Sequence, residues 1–244
     1  IVLLAVVARA IGLNSGLWID EIYSLVRSFR APLPEILTEF WGDNHHPLYA
    51  VFAHASRAIF GESPWVVRLP AMLLGVAAVP MLYRLGLLVA RQREALLAAL
   101  LLAVNYQHVW FSQNARGYSA IAFVALVTMW ALLRGVETGR ARYFVWYAIA
   151  AALGAYTHLT TIFVVVGHAL ALAVYLLAPG RPRDTRALWR GGLIAFVLAA
   201  ALTLVLYAPM LRQVVDFFLH RPSELRGVST PRWAFFETIR VLVL

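Results

Sequence analysis

Seven apolar stretches, at about 1–12, 65–90, 95–112, 117–134, 143–158, 159–178 and 191–211, occupy most of the chain. The complete ones approach the ~17–25 residues an α-helix needs to cross the hydrocarbon of a bilayer. A backbone in lipid must satisfy its own hydrogen bonds, which a helix does within itself. The fold class this predicts is all-α, a polytopic transmembrane helix bundle. Composition agrees: 62% of the 244 residues are hydrophobic and 14% charged, where soluble domains run at about 25% charged. The first stretch is short and reads as the inside of a helix, so residues 1–244 are expected to be a single transmembrane domain truncated at both ends.

All 21 basic residues are Arg, and their placement gives an orientation. Arg84, Arg91, Arg93, Arg134, Arg140, Arg142, Arg181, Arg183, Arg186 and Arg190 fall in alternate connections, accompanied only by Glu94, Glu137 and Asp184. By the positive-inside rule those connections are cytoplasmic. The other side receives Asp20, Glu21, Glu35, Glu39, Asp43 and Glu62, so the stretch LWIDEIYS (17–24) is expected at the extracytoplasmic mouth of the first helix. With no cysteine, disulfides, zinc–thiolate sites and iron–sulfur clusters are excluded.

Residues 13–64 form the first extracytoplasmic loop and the longest connection. Within it Leu48, Val51, Phe52, Ala55, Ile59 and Phe60 recur at helical spacing, while His54 and Arg57 take other positions. This pattern predicts a helix lying in the membrane interface with its apolar face in lipid. A shorter helix, Pro34 to Phe40, is expected before it.

The topology brings a set of polar residues to one rim. Asp20 and Glu21 have two readings: acids that cap a short interfacial helix, or a general base or metal ligand at the membrane surface. Asp43, His45 and His46 lie in the same loop, and His158 in the turn between the fifth and sixth stretches. Asp43, His45 and His158 are candidate ligands of a divalent metal ion; the alternative is polar loop residues before Pro47. Two consecutive His residues do not both face one ion from regular structure. Arg116, in QNARGY, is either a snorkelling cap or the cradle of an anionic lipid phosphate, which its planar fork suits. His168, in mid-helix, reads as an interhelical hydrogen-bonder. No phosphate-cradling glycine loop, HExxH helix or GxSxG elbow occurs, so neither nucleotide hydrolysis nor serine chemistry is expected.

Three segments carry a family resemblance: GLNSGLWIDEIYS, HHPLYAVFAHASRAIFGESPWVVRLPAMLLGVAAVPMLYRLG and FSQNARGYSAIAFVALVTMWALL. In the order and spacing of their DE pair, HPLY segment, RLP and ARGY turn, they resemble the amino-terminal half of polytopic GT-C glycosyltransferases. The branch is that of protein O-mannosyltransferases, aminoarabinose transferases and RgtA/B/C/D-like transferases. The resemblance implies an inverting enzyme that moves a sugar, a hexose or pentose, from a polyprenyl-phosphate donor to a lipid, glycan or protein acceptor. The absence of Lys beside abundant Ala and Arg suggests a bacterial inner membrane, and the resemblance implies a site on the extracytoplasmic face. It implies catalytic roles for Asp20, with Glu21 in support, and donor-phosphate contacts at His46, Arg116 and Tyr118. This sequence lacks the Lys some relatives carry near His45 and His46, which shifts the phosphate contact towards Arg116. A divalent metal is an open expectation; no nucleotide cofactor or nucleic-acid partner is expected. The rival reading is a polytopic lipid-binding or transport protein without transferase activity. A transporter would place its ionisable groups near the bilayer midplane, whereas the acids here gather at one surface.

Overall fold

A computed structural model describes residues 1–42, 44–177 and 185–220, and these are helical throughout, with no strand among the described residues. The chain opens with α1 (Val2–Ala10), and the first connection then holds α2 (Ile19–Ser24), which widens into one π-helical turn over Leu25–Phe29. Next come α3 (Leu33–Thr38) and α4 (Pro47–Phe60). The bundle continues with α5 (Pro64–Val89), α6 (Gln92–Val104), α7 (Tyr106–Ser112), α8 (Tyr118–Thr138), α9 (Ala141–Thr157), α10 (Thr161–Leu177) and α11 (Thr185–Tyr207). A short helix, α12 (Leu211–Leu219), follows.

Among the described residues, three helical stretches are long and apolar enough to span a membrane: Pro64–Val89, Tyr118–Thr138 and the run Leu188–Leu219. The stretch expected as one span over 95–112 is instead two helices, α6 and α7, bent by 57°. The break has a local cause. Asn105 takes an extended backbone conformation, and its Oδ1 accepts the His108 backbone N–H at 2.8 Å, capping α7. The expected spans at 143–158 and 159–178 are α9 and α10, each 17 residues, about 26 Å long at ~1.5 Å per residue. They reach only the lower limit of a span.

Arg9 occupies the bend. Its guanidinium is fully buried and donates to the carbonyls of Ala5 and Ala103 at 3.0 Å, with Leu102 at 3.4 Å and Ser112 Oγ at 3.2 Å. A further contact joins it to His108 Nδ1 at 2.6 Å. Ala103 and Leu102 belong to the last turn of α6, whose carbonyls have no partner within the helix. An arginine on α1 thus caps α6 and ties the first helix to the bend. Gly75 of α5 leaves the space: a Cβ there would collide with Ser112 and approach Arg9 Nε to 3.3 Å.

Elements α5, α8, α9 and α11 pack successively, α5 on α8, α8 on α9 and α9 on α11. Ala131, Leu132, Phe144, Tyr147 and Ala148 of this group form a buried cluster with Leu176 of α10. His168 meets Tyr147 Oη at 3.3 Å from α10 to α9, the interhelical hydrogen bond expected of it. In α4 the buried side is Tyr49, Ala50, Ala53 and Ser56. Tyr49 Oη and Ser56 Oγ donate to the carbonyls of Val67 and Val66, pinning α4 to the start of α5. Phe52, Ile59 and Phe60 stay exposed, as an interfacial helix with its apolar face in lipid requires.

Chain direction alternates through the bundle. The loops 11–63, 113–117 and 158–160 and the end of α11 therefore share one end, while the turns at 90–91 and 139–140 share the other.

Candidate functional site

The shared end is held together by a buried ion pair. Glu21, in the first turn of α2, is fully buried, and Arg68, near the start of α5, is 3% exposed. Arg68 Nε and Nη2 donate to the two Glu21 oxygens at 2.9 and 2.6 Å, the bidentate geometry of the planar fork. The remaining Arg68 donors go to the carbonyls of Leu13, Ser15 and Gly16. Glu21 also accepts the backbone N–H of Trp18, closing the start of α2 as the capping reading proposed, and that of Ala115 at 2.7 Å. One carboxylate therefore fixes three separate segments: residues 13–21, the start of α5 and the 113–117 turn.

Ala115 precedes Arg116, and Glu21 follows Asp20, so the clamp brings those two side chains together. Arg116 Nη1 lies 2.8 Å from Asp20 Oδ2, and Arg116 Nη2 donates to Asn44 Oδ1 at 2.8 Å. Arg116 is buried, yet its Nε has no partner. The Asp20 side chain keeps 34% exposure, so it is the accessible acid of the pair and Glu21 the enclosed one. Tyr118, the first residue of α8, places its ring 5.2 Å from the Arg116 guanidinium carbon.

Imidazoles complete the rim. The His46 ring lies 4.7 Å from that of His158 and 5.8 Å from Tyr118, while Tyr118 and His158 are 5.9 Å apart. Gly117 permits this approach, because a Cβ there would meet Thr157 Cγ2 at 2.7 Å and His46 Nδ1 at 3.0 Å. His45 turns the other way, against Trp41 at 4.6 Å. Both ring nitrogens of His45 and His46 are buried without a partner, and buried polar atoms of this kind call for a ligand or water.

Burial holds these imidazoles neutral. It lowers His45 to about 4 and places His46 well below the ordinary range, with the His158 and Arg116 charges adding to the effect on His46. His158 is lowered too, by burial and then Arg116. The unfolded chain therefore binds protons between about pH 6.5 and 4 that the folded chain does not, so stability falls as the pH is lowered through that window. Thermal unfolding followed at pH 7.5, 6 and 5 should show a falling midpoint that flattens in His46→Phe; an equal decline in that variant would remove the imidazole as its cause.

The sequence-predicted site residues Asp20, Glu21, His46, Arg116, Tyr118 and His158 meet at this rim, together with Asn44. Asp43 lies outside the described residues. His45 and His158 line one cavity, but among the described residues no three His, Asp or Glu side chains gather to hold a metal. Sequence reasoning missed Arg68 and Arg9. Arg68 carried a signal: a cation near a helix N-terminus opposes the macrodipole, which calls for an acid nearby.

One apolar cavity adjoins the imidazoles and a second lies next to it. The first, about 320 Å³, is lined by His45 and His158 with Phe40, Phe163, Tyr207 and Phe218. The second, about 580 Å³, runs between α9, α10 and α11. Leu159 and Ile162 line both, so the two cavities are neighbours, the first at the rim and the second deeper in the bundle.

An all-α bundle with helices of membrane-spanning length is the fold class expected of a multi-pass glycosyltransferase of the GT-C type. Residues 44–211, well over half of the chain, match the family of dolichyl-phosphate-mannose-protein mannosyltransferases, and the chain belongs to it. No curated protein and no solved structure matches the chain.

Proposed function

We propose that the protein transfers a sugar from a polyprenyl-phosphate donor to an acceptor hydroxyl, with inversion, at the extracytoplasmic membrane surface. The observation that carries this reading is the Asp20–Arg116 pair. It is an accessible carboxylate and a buried guanidinium with a spare donor, joined through Tyr118 and His158 to an apolar cavity. A polyprenyl chain is confined to the bilayer with its phosphate at headgroup level, so a rim site with a neighbouring apolar cavity suits such a donor.

In this reading Asp20 takes the proton of the acceptor hydroxyl as that oxygen attacks the anomeric carbon. The new glycosidic C–O bond forms as the bond from the anomeric carbon to the phosphate oxygen breaks, and polyprenyl phosphate leaves with the electron pair. Arg116 then stabilises the charge developing on the phosphate. His46 and Tyr118 stand beside Arg116 as neutral hydrogen-bonding groups for the phosphate oxygens. Glu21 positions the turn that carries Arg116.

The reading is tested with the full-length protein in nanodiscs and a panel of polyprenyl-phosphate sugars. Consumption of one donor with release of polyprenyl phosphate is the expected result; a folded protein that consumes none overturns the proposal. Arg116→Ala should raise the donor KM about tenfold or more, the scale of a lost hydrogen bond between charged groups. Arg116→Lys should not restore it, since an ammonium lacks the fork. An unchanged donor KM in Arg116→Ala would remove the phosphate contact.

A further inference from the structure

A third cavity lies beside the same pair. It measures about 310 Å³ and is walled by Trp18, Trp110, Gln113, Asn114, Ser15 and Arg68, at the lower end of the ~300–1,000 Å³ typical of small-ligand sites. Trp18 and Asn114 stand two residues from Asp20 and Arg116 respectively, so each wall is at most about 7 Å along the chain from one member of the pair.

The lining selects against an anion. Arg68 is its only cation, and the five N–H donors of a guanidinium are all committed here, to the two Glu21 oxygens and the carbonyls of Leu13, Ser15 and Gly16. What remains is neutral. Trp18 and Trp110 keep 39% and 38% of their surface exposed, with ring centroids 6.0 Å apart at 54°. The Gln113 amide N–H groups are committed to the carbonyls at the end of α1, and Asn114 Nδ2 to Trp110 O. Both amides therefore have their carbonyl oxygens left as hydrogen-bond acceptors. Two indole faces with neutral acceptors between them match one kind of ligand, a sugar ring. Its C–H face packs on aromatic carbon while its hydroxyls donate to amide oxygens.

We infer that this cavity is a saccharide subsite and that the acceptor is itself a glycan. The inference rests on the transferase reading and deepens it. Trp18 and Asn114 lead along the chain to Asp20 and Arg116, which are followed in contact by Tyr118, His46 and His158, and His158 lines the first apolar cavity. Acceptor sugar and lipid-linked donor would then approach the Asp20–Arg116 pair from opposite sides, as an inverting displacement requires.

The test is direct binding of a panel of methyl glycosides to the full-length protein in nanodiscs by saturation-transfer NMR, which needs no turnover. At least one glycoside should bind saturably, Trp110→Ala should weaken it about tenfold, and Trp110→Phe, which keeps an aromatic face, should fall between. In transfer assays Trp110→Ala should raise the acceptor KM while leaving the donor KM unchanged. Absence of glycoside binding to the wild-type protein overturns the inference, as does equal binding by Trp110→Ala. Glycoside binding lost in Trp110→Ala, with no donor consumed by the wild type, would overturn the transferase reading while upholding the sugar subsite.

Discussion

Donor consumption by Asp20→Asn is expected to fall by about 10²- to 10⁴-fold, the contribution a positioned general base makes. The substitution is nearly isosteric, and its side-chain oxygen still accepts a hydrogen bond from Arg116, so the rim should persist. Since the side chain is one-third exposed, little burial is disturbed. The loss should therefore appear in kcat, with donor binding and thermal unfolding unchanged. Wild-type turnover in Asp20→Asn would remove the acid from the chemistry and leave it as a partner that orients Arg116. A lowered unfolding temperature with parallel loss of donor binding would point to the same conclusion by another route.

The helices and the rim were legible in the sequence because both depend on local signals. Apolar runs of span length and clustered Arg residues defined the bundle, and alternation of chain direction brought Asp20, His46, Arg116, Tyr118 and His158 to one end. Helix α4 was legible too, from Phe52, Ile59 and Phe60 at helical spacing. What escaped was the wiring between segments. Arg68 meets Glu21 across 47 residues and Arg9 meets His108 across 99, and no periodicity encodes such pairs. The 57° break at Asn105 was hidden for a related reason. One side-chain cap redirects the backbone there, while the surrounding residues remain apolar enough to read as a continuous span. The roles of the adjacent acids were likewise undivided in sequence. DE offers two carboxylates, and only the buried position of Glu21 against Arg68 separates the enclosed acid from the accessible one.

That separation makes the Glu21–Arg68 pair the place where the fold is most sensitive. Arg68→Met removes the guanidinium and leaves a fully buried carboxylate without its cation, a change that costs about 3–5 kcal/mol. It also strips donors from the carbonyls of Leu13, Ser15 and Gly16. At ~2–4 °C per kcal/mol for a chain of this size, the unfolding midpoint of the full-length protein should drop by about 10 °C. Glu21→Gln should be milder, because the amide oxygen still accepts the Ala115 N–H. The double variant Glu21→Gln with Arg68→Met should be more stable than the sum of the single changes predicts, since the isolated charge is gone. Strict additivity would mean the pair is not the clamp its geometry describes. Transfer should fall in Arg68→Met even below its unfolding temperature, because the same carboxylate anchors Ala115, the residue that sets Arg116 against Asp20.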